Sequence, residues 1–172
     1  MRVLICYDGS ADAQAAIGRA GQLMPGSDAT VLVIWETLLE TLTRAGTLGM
    51  GFGAVGPYDE AGTDAALEKA ALDTATDGAQ QATSAGLVAN PRIVSRRHEI
   101  AADILAVAEE IDADVIVLGT RGRGGLKSLM LGSVSNAVLH HADRAVLVIP
   151  SPALAEQRRR WAEHAQLRAG VT

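Results

Sequence analysis

The sequence predicts an α/β domain built on a parallel β-sheet, and three observations lead to this fold class. Short apolar runs alternate along the chain with longer segments of helical periodicity. Of the 172 residues, 48% are hydrophobic but only 3% are aromatic, so Val, Ile, Leu and Ala must fill the core. The length is sufficient for one domain with a sizeable core. Alternation of strands and helices predicts parallel strands, right-handed crossovers and helices on both faces of the sheet.

Five short runs are predicted to be buried strands. Four of them are nearly continuous in aliphatic residues, as expected for strands that are covered on both faces. The third run, RIVSRR, is more polar, which is typical of an edge strand. The predicted strands are Val3–Tyr7, Thr30–Trp35, Arg92–Arg96, Val115–Gly119 and Ala145–Ile149.

Four helices are predicted between the strands. The first follows Ser10, a residue type that caps helix N-termini, and ends near Met24 because Pro25 and Gly26 follow. The second is rich in Ala and the third repeats apolar residues at helical spacing. These later helices are predicted at Asp59–Ala85, Ile100–Ile111 and Ser133–Ala142.

Residues 1–150 are predicted to form a single domain, and two segments depart from its strand–helix pattern. Thr37–Pro57 is rich in glycine and has little periodicity, so we expect a long mobile loop of the kind that often has a function. Ser151–Thr172 is a polar C-terminal tail in which one helix can form, with Trp161 packing it against the domain.

Composition and charge argue against several classes of partner. The net charge of -5 disfavours non-specific binding to nucleic acid or to an anionic membrane. No apolar run approaches the roughly 20 residues that span a bilayer, and the apolar N-terminal stretch is too short for a secretory signal. We therefore expect a cytoplasmic protein. Cys6, the single cysteine, lies in an apolar run and is expected to be a small buried hydrophobic residue.

Two of the glycine-rich stretches fail as phosphate-binding loops. Gly51–Gly56 matches the spacing G-x-G-x-x-G of dinucleotide-binding proteins. However, Pro57 follows it, and the stretch does not lie between a strand and a helix. Gly122–Ser128 has the letters of a P-loop in part, but Leu126 occupies the position where a glycine must precede the lysine.

A third glycine-rich pattern, G-x2-G-x9-G-S, has the right context. Gly119 and Gly122 follow a predicted strand, where glycine lets the backbone turn and approach a ligand closely. Gly132 and Ser133 precede a predicted helix, whose free N–H groups and positive dipole end attract an anion. Ser133 and Ser135 add hydroxyl donors nearby. The pattern predicts a phosphate site at the carboxyl ends of the strands, between its two halves.

Residues 1–150, from VLICYDGS to AVLVIP, resemble the universal stress protein family, most specifically over DVIVLGTRGRGGLKSLMLGSVSNAVLHHADRAVLVIP. In that family the G-x2-G-x9-G-[ST] motif marks the branch that binds ATP. The resemblance implies an open, Rossmann-like five-stranded sheet of the adenine nucleotide alpha hydrolase-like type, with strand order 3-2-1-4-5. It also implies ATP with Mg²⁺ held mainly by the phosphates, a homodimer formed through Ala145–Ile149, and an unidentified protein partner.

The resemblance also implies a role for individual residues. Asp8 would bond the ribose hydroxyls, and the backbone of Ile34 would meet the adenine. The remaining expected nucleotide-binding residues line the nucleotide or hold its phosphates: Leu118, Gly119, Arg121, Gly122, Gly132, Ser133, Val134 and Ser135. The chain departs from the family where His98-Glu99-Ile100 replaces a frequent G-x-P element, and where Val33 replaces a frequent His.

No catalytic residue and no metal ligand is predicted, because no triad or pair of carboxylates is recognisable and His140 and His141 lack metal-binding spacing. The leading hypothesis is a regulatory protein whose state depends on bound ATP. A slow ATPase, or an enzyme that phosphorylates its own Ser133 or Ser135, remains an alternative. A related adenylyl-transferring enzyme or electron-transfer flavoprotein is disfavoured because DGSADA follows the first strand.

Overall fold

The computed structural model describes residues 1–44, 60–122 and 131–169. These residues form five strands and six helices. In chain order the elements are β1 (Arg2–Cys6), α1 (Ala11–Leu23), β2 (Asp28–Trp35), α2 (Leu38–Arg44), α3 (Glu60–Ser84), β3 (Val88–Ser95), α4 (Ile100–Glu110), β4 (Val115–Gly119), α5 (Ser133–His141), β5 (Ala145–Ile149) and α6 (Pro152–Ala169).

The strands form one parallel sheet in the order β3-β2-β1-β4-β5. Val3 in the central strand β1 pairs with Ala29 of β2 on one side and with Val115 of β4 on the other. The fold class and the strand order predicted above are confirmed. Both β3, the more polar strand, and β5 lie at edges of the sheet.

Two apolar layers cover the two faces of the sheet because side chains alternate along each strand. Val3 and Ile5 of β1 face α1 and α3, whereas Leu4 faces α4 and α5. The Ala-rich helix α3 packs closely on the sheet: a Cβ at Gly78 would lie 2.7 Å from the Tyr7 ring. A small residue is therefore required at position 78, where α3 lies against Tyr7.

The predicted cap of α1 is present, since the Ser10 hydroxyl accepts a hydrogen bond from the Ala13 N–H at 3.2 Å. Strand β3 begins at Val88, four residues earlier than predicted, and includes Pro91. The Val88 N–H donates to Ser27 O in the connection before β2. Every second residue of β3, counted from Val88, therefore directs its backbone N–H and C=O toward β2. Pro91 is one of the residues in between, whose backbone groups are directed away from β2, so its missing N–H breaks no hydrogen bond of the sheet.

The expectation of a long loop over Thr37–Pro57 is wrong for its first part, which forms α2. Thr37 and Glu40 form a reciprocal capping box: the Thr37 N–H donates to Glu40 Oε2 at 2.9 Å, and the Glu40 N–H donates to Thr37 Oγ1 at 3.3 Å. The Leu38 N–H also donates to Asp64 on α3. Residues 45–59, with the glycine-rich stretch, lie outside the described residues.

The C-terminal tail is helical, as expected, but a different residue packs it down. Leu154 is only 1% exposed, whereas Trp161 is 68% exposed. Burial occurs near the start of α6 because this end leaves the sheet directly after β5. Over the described ranges, no helix combines the length and the apolar character needed to cross a membrane.

Candidate functional site

A cavity of about 580 Å³ lies at the carboxyl ends of β1, β2 and β4, beside the N-termini of α1 and α5. Its lining brings together all ten residues singled out from the sequence: Asp8, Ile34, Leu118, Gly119, Arg121, Gly122, Gly132, Ser133, Val134 and Ser135. Further lining residues are Cys6, Tyr7, Ala13, Leu32, Ile100, Ile104 and Leu131. This is the edge of an open parallel sheet where ligands bind.

The lining combines two kinds of surface. Aliphatic side chains from β2, α4, β4 and α5 are Leu32, Ile34, Ile100, Ile104, Leu118 and Val134. Polar groups come from the end of β1, the turn after β4 and the start of α5, through Asp8, Arg121 and Ser133. Such a cavity suits a ligand with one flat or apolar part and one anionic part.

The two halves of the glycine motif meet directly. The Gly132 N–H donates to Thr120 O at 2.8 Å, and the Ser135 hydroxyl donates to Gly119 O at 2.8 Å. Thr120 is also bonded to β5, because its N–H donates to Ile149 O at 2.9 Å. The turn after β4 is therefore held by α5 on one side and by β5 on the other.

These bonds correct the role expected for one serine. The Ser135 hydroxyl was expected to contact phosphates, but it donates to Gly119 O and the residue is 5% exposed. Ser133, by contrast, is exposed and lines the cavity. Any direct contribution of Ser135 to an anion therefore comes from its backbone N–H.

Helix α5 begins at the cavity, and its N-cap residue is a glycine. Its N-cap is Gly132, and no side chain hydrogen-bonds the first turn from this position. The N–H groups of Ser133, Val134 and Ser135 lie in that turn, where an α-helix supplies no acceptor of its own. Together with the helix dipole they can bind an anionic group.

Two motif glycines lie against the protein's own atoms. A Cβ at Gly119 would lie 2.7 Å from the Asp12 carbonyl carbon, so glycine here lets α1 approach β4. A Cβ at Gly122 would lie 2.7 Å from Asp8 Oδ2. Neither glycine has a positive φ, unlike Gly9. Backbone packing therefore requires glycine at position 119, and at position 122 glycine leaves room for the Asp8 carboxylate.

The carboxylate of Asp8 has a defined orientation at the cavity. Its Oδ1 accepts a hydrogen bond from the Ser10 N–H at 3.0 Å, which directs the carboxylate along the start of α1. Its other oxygen, Oδ2, lies on the side of Gly122. The carboxylate can accept further hydrogen bonds from neighbouring hydroxyl groups.

Sequence reasoning missed two residues behind this turn, Asp12 and Thr120. Thr120 is 1% exposed and donates its hydroxyl to Asp12 Oδ2 at 2.6 Å; Asp12 itself is 7% exposed. Burial disfavours ionisation of Asp12, but hydrogen bonds from Thr120 and Ser151 and the charge of Arg121 outweigh it, and the pKa of the Asp12 carboxyl is lowered. The only local signal was an acidic residue in the first turn of a helix.

Cys6 lines the cavity, but its thiol has low reactivity. Burial, together with the nearby Asp8 charge, raises the pKa of the Cys6 thiol to about 12. The thiol is therefore protonated at neutral pH and is a poor nucleophile. In the parts of the chain that the structure describes, no group of three or more His, Cys, Asp or Glu residues is arranged to hold a metal ion.

The fold and the cavity define a doubly wound α/β domain with an amphipathic cavity at its strand ends. The chain belongs to the universal stress protein family, whose model matches residues 1–150. The universal stress protein Slr1101 of Synechocystis is 51% identical over 45 residues, which are 26% of this chain and 42% of that protein. The chain thus matches less than half the length of this relative.

Solved structures share the fold at low sequence identity. The structure of hypothetical protein MJ0577 has a TM-score of 0.68 and 19% identity, covering 87% of this chain and 94% of that one. A universal stress protein of Archaeoglobus fulgidus in complex with dAMP has a TM-score of 0.57 and 21% identity, covering 87% and 97%. At such identity these likenesses concern the fold alone.

Proposed function

We propose that this universal stress protein binds ATP in the cavity at the strand ends. The observation that carries the proposal is that one cavity brings together the N-terminus of α5, whose N-cap residue is Gly132, and an aliphatic wall. The first-turn amides would hold the phosphates, and the aliphatic wall would pack against the adenine. The Archaeoglobus fulgidus relative, solved in complex with dAMP, supports a purine nucleotide as ligand.

The residue roles in this proposal are those that the resemblance to the family implies. Asp8 would accept hydrogen bonds from the ribose hydroxyls, and the Ile34 backbone would meet the base at the end of β2. Leu118, Gly119 and Arg121 would line the nucleotide, while the phosphates would hold Mg²⁺. The other proposed contacts are Gly122, Gly132, Ser133, Val134 and Ser135.

The site suits regulated binding better than rapid hydrolysis. Among the described lining residues, Asp8 is the single carboxylate, and one of its oxygens already accepts the Ser10 N–H. Rapid phosphoryl transfer needs a group that positions the attacking nucleophile. We propose a cytoplasmic homodimer in which ATP orders the site and a protein partner recognises the result. ATP can shift the equilibrium between a disordered and an ordered site only if it binds the ordered state more tightly.

Calorimetry with ATP and with inorganic triphosphate tests the proposal. Asp8→Ala should weaken ATP binding about 10- to 100-fold, the scale for hydrogen bonds to a charged group, because ribose contacts are lost. Triphosphate binding should change little, since triphosphate has no ribose. Asp28→Ala, at the exposed opposite end of β2, is the control and should bind both ligands like the wild type. Failure of the wild type to bind ATP would refute the proposal, and equal losses for both ligands would separate Asp8 from the ribose.

A further inference from the structure

We propose that Asp12 is a positioning residue for the phosphate end of the site, acting through Thr120 and Arg121. The inference rests on the proposed function and adds a residue that lies behind the cavity, outside its lining. Asp12 would fix the turn after β4 so that the Arg121 guanidinium is oriented toward a polyphosphate before the ligand arrives.

The first argument is the number of groups that converge on one buried carboxylate. Asp12 is 7% exposed and accepts the Thr120 hydroxyl at 2.6 Å. The Ser151 side chain and the Arg121 backbone also favour its charged form and lower its pKa. Its Oδ2 lies 3.7 Å from Arg121 Nε, so the guanidinium and the carboxylate attract each other. One side chain of α1 thus contacts both residues at the centre of the Gly119–Gly122 turn.

The second argument is that Thr120 has a partner for each polar group. Its N–H donates to Ile149 O, its carbonyl accepts the Gly132 N–H, and its hydroxyl donates to Asp12. The Asp12 bond is the one that links this residue to α1. Removing the Asp12 side chain would leave Thr120 attached to β5 and α5 but would release the adjacent Arg121 from its contact with Asp12.

The third argument is the location of Arg121 itself. Among the described lining residues Arg121 is the single cation, and its side chain is 23% exposed. A guanidinium has a rigid planar arrangement of donors, and an arginine that is already oriented loses less conformational entropy on binding a phosphate. Asp12 therefore favours ligands that carry phosphate and has little influence on the nucleoside part.

The test compares ATP with adenosine by calorimetry on the full chain. Asp12→Ala should weaken ATP binding by about tenfold or more, the scale for hydrogen bonds to charged groups, while adenosine affinity changes less than about threefold. Asp12→Asn keeps an acceptor for Thr120 and should recover part of the loss. If the carboxylate served only to neutralise Arg121, Asp12→Asn would bind ATP more tightly than the wild type, and that result would overturn the inference.

Asp103→Asn is the matched control, because Asp103 is a similarly buried carboxylate that accepts backbone N–H groups outside the cavity lining. Its ratio of ATP affinity to adenosine affinity should equal that of the wild type. A double-mutant cycle adds a second readout: Asp12→Ala and Arg121→Ala should be clearly non-additive for ATP. Additive losses, or equal losses for ATP and adenosine, would refute the positioning role.

If Asp12→Ala does not fold, Thr120→Val tests the part of the inference that acts through Thr120, and ATP should again lose more affinity than adenosine. It removes the hydroxyl that Asp12 accepts and retains a side chain of similar shape. The result also separates this inference from the proposed function. A wild type that binds both ligands, with variants that keep its affinity ratio, refutes Asp12 alone; a wild type that binds neither ligand refutes both proposals.

Discussion

Gly122 lies directly against the carboxylate of Asp8, so that a Cβ at position 122 would be 2.7 Å from Asp8 Oδ2. The other oxygen, Oδ1, is bonded to the Ser10 N–H and gives the carboxylate little freedom to turn away. A side chain at position 122 would therefore displace the Asp8 carboxylate, so the two positions are structurally coupled. Glycine at 122 preserves the position of the carboxylate that we assign to the ribose.

This relationship predicts the effect of Gly122→Ala. The added methyl group should displace the Asp8 carboxylate and weaken ATP binding about tenfold, because hydrogen bonds to a charged group are misaligned. The backbone is not in a left-handed conformation there, so the free energy of unfolding should change by less than about 1 kcal/mol. Calorimetry and urea unfolding measure the two quantities separately.

Gly18→Ala is the matched control for this substitution. A Cβ at Gly18 meets no atom within 4 Å, and the residue lies within α1. Alanine should stabilise this helix by about 0.5–1 kcal/mol and leave ATP affinity unchanged. Unaltered ATP binding by a folded Gly122→Ala variant would contradict the coupling of Gly122 to Asp8.

A second prediction distinguishes the two serines at the start of α5. Ser135→Ala should lower the free energy of unfolding by about 1–2 kcal/mol, because Gly119 O loses a buried hydroxyl donor. Ser133→Ala should have almost no effect on stability, since Ser133 is exposed. Urea unfolding of both variants provides the comparison. Equal stability of the two would mean that the Ser135 bond contributes little to the fold.

The sequence was sufficient for the elements that follow from local rules. Nearly continuous aliphatic runs identified four of the five strands, a more polar run identified the later part of β3, and Ser10 identified the start of α1. Helix α2 was also readable from the Thr37–Glu40 capping box, but the high glycine content of the following segment led to the prediction of a loop. The capping box correctly indicated a helix, whereas the glycine content of the following segment wrongly indicated a loop.

The parts that could not be predicted depend on contacts between distant residues. Asp12 and Thr120 are 108 positions apart, and no periodicity or motif relates them. The position of Ser135 in a helical first turn suggested a phosphate donor, but only the packed structure brings Gly119 O within 2.8 Å of its hydroxyl. Motif spacing together with the family resemblance identified ten lining residues of the cavity, whereas the hydrogen bonds that hold them could be seen only in the folded structure.

A third prediction concerns stability in acid. Burial disfavours ionisation of Asp103, but hydrogen bonds from Arg97 and His98 outweigh it, so the pKa of the Asp103 carboxyl lies below its ordinary value. Asp12 shows a shift in the same direction. A lowered pKa in the folded state gives stability that is present above the unfolded value of about 3.9 and is lost as pH falls through the folded value.

Urea unfolding between pH 6 and pH 2.5 measures this effect. The free energy of unfolding should fall most steeply below about pH 4, where the unfolded carboxyl groups take up protons first. Asp103→Asn should be less stable at pH 6 and should lose less stability on acidification. Asp73→Asn removes an exposed carboxylate and should follow the wild-type curve. A wild-type and an Asp103→Asn curve of equal slope would contradict the prediction.

The last prediction concerns assembly through β5, which is an edge of the sheet. Four of its five residues are half-buried aliphatic residues, and an apolar edge with unpaired polar groups favours pairing with another strand. Ile149 O accepts the Thr120 N–H, so residues alternating with Ile149 direct their polar groups away from β4. Val146 and Val148 therefore present their N–H and C=O groups outward. Antiparallel pairing of two such strands would form a closed, two-fold dimer.

Val148→Pro should convert this dimer to a monomer, because proline removes an outward N–H without breaking the ladder to β4. Ile93→Pro is the matched control. Ile93 is a half-buried aliphatic residue of β3, the opposite edge strand. Like Pro91 two positions earlier, it directs its backbone groups away from the neighbouring strand. It should leave the dimer intact. Light scattering at micromolar concentration measures the mass of each protein. A monomeric wild type would refute the dimer, whereas a folded Val148→Pro variant that remains dimeric would place the interface on another surface.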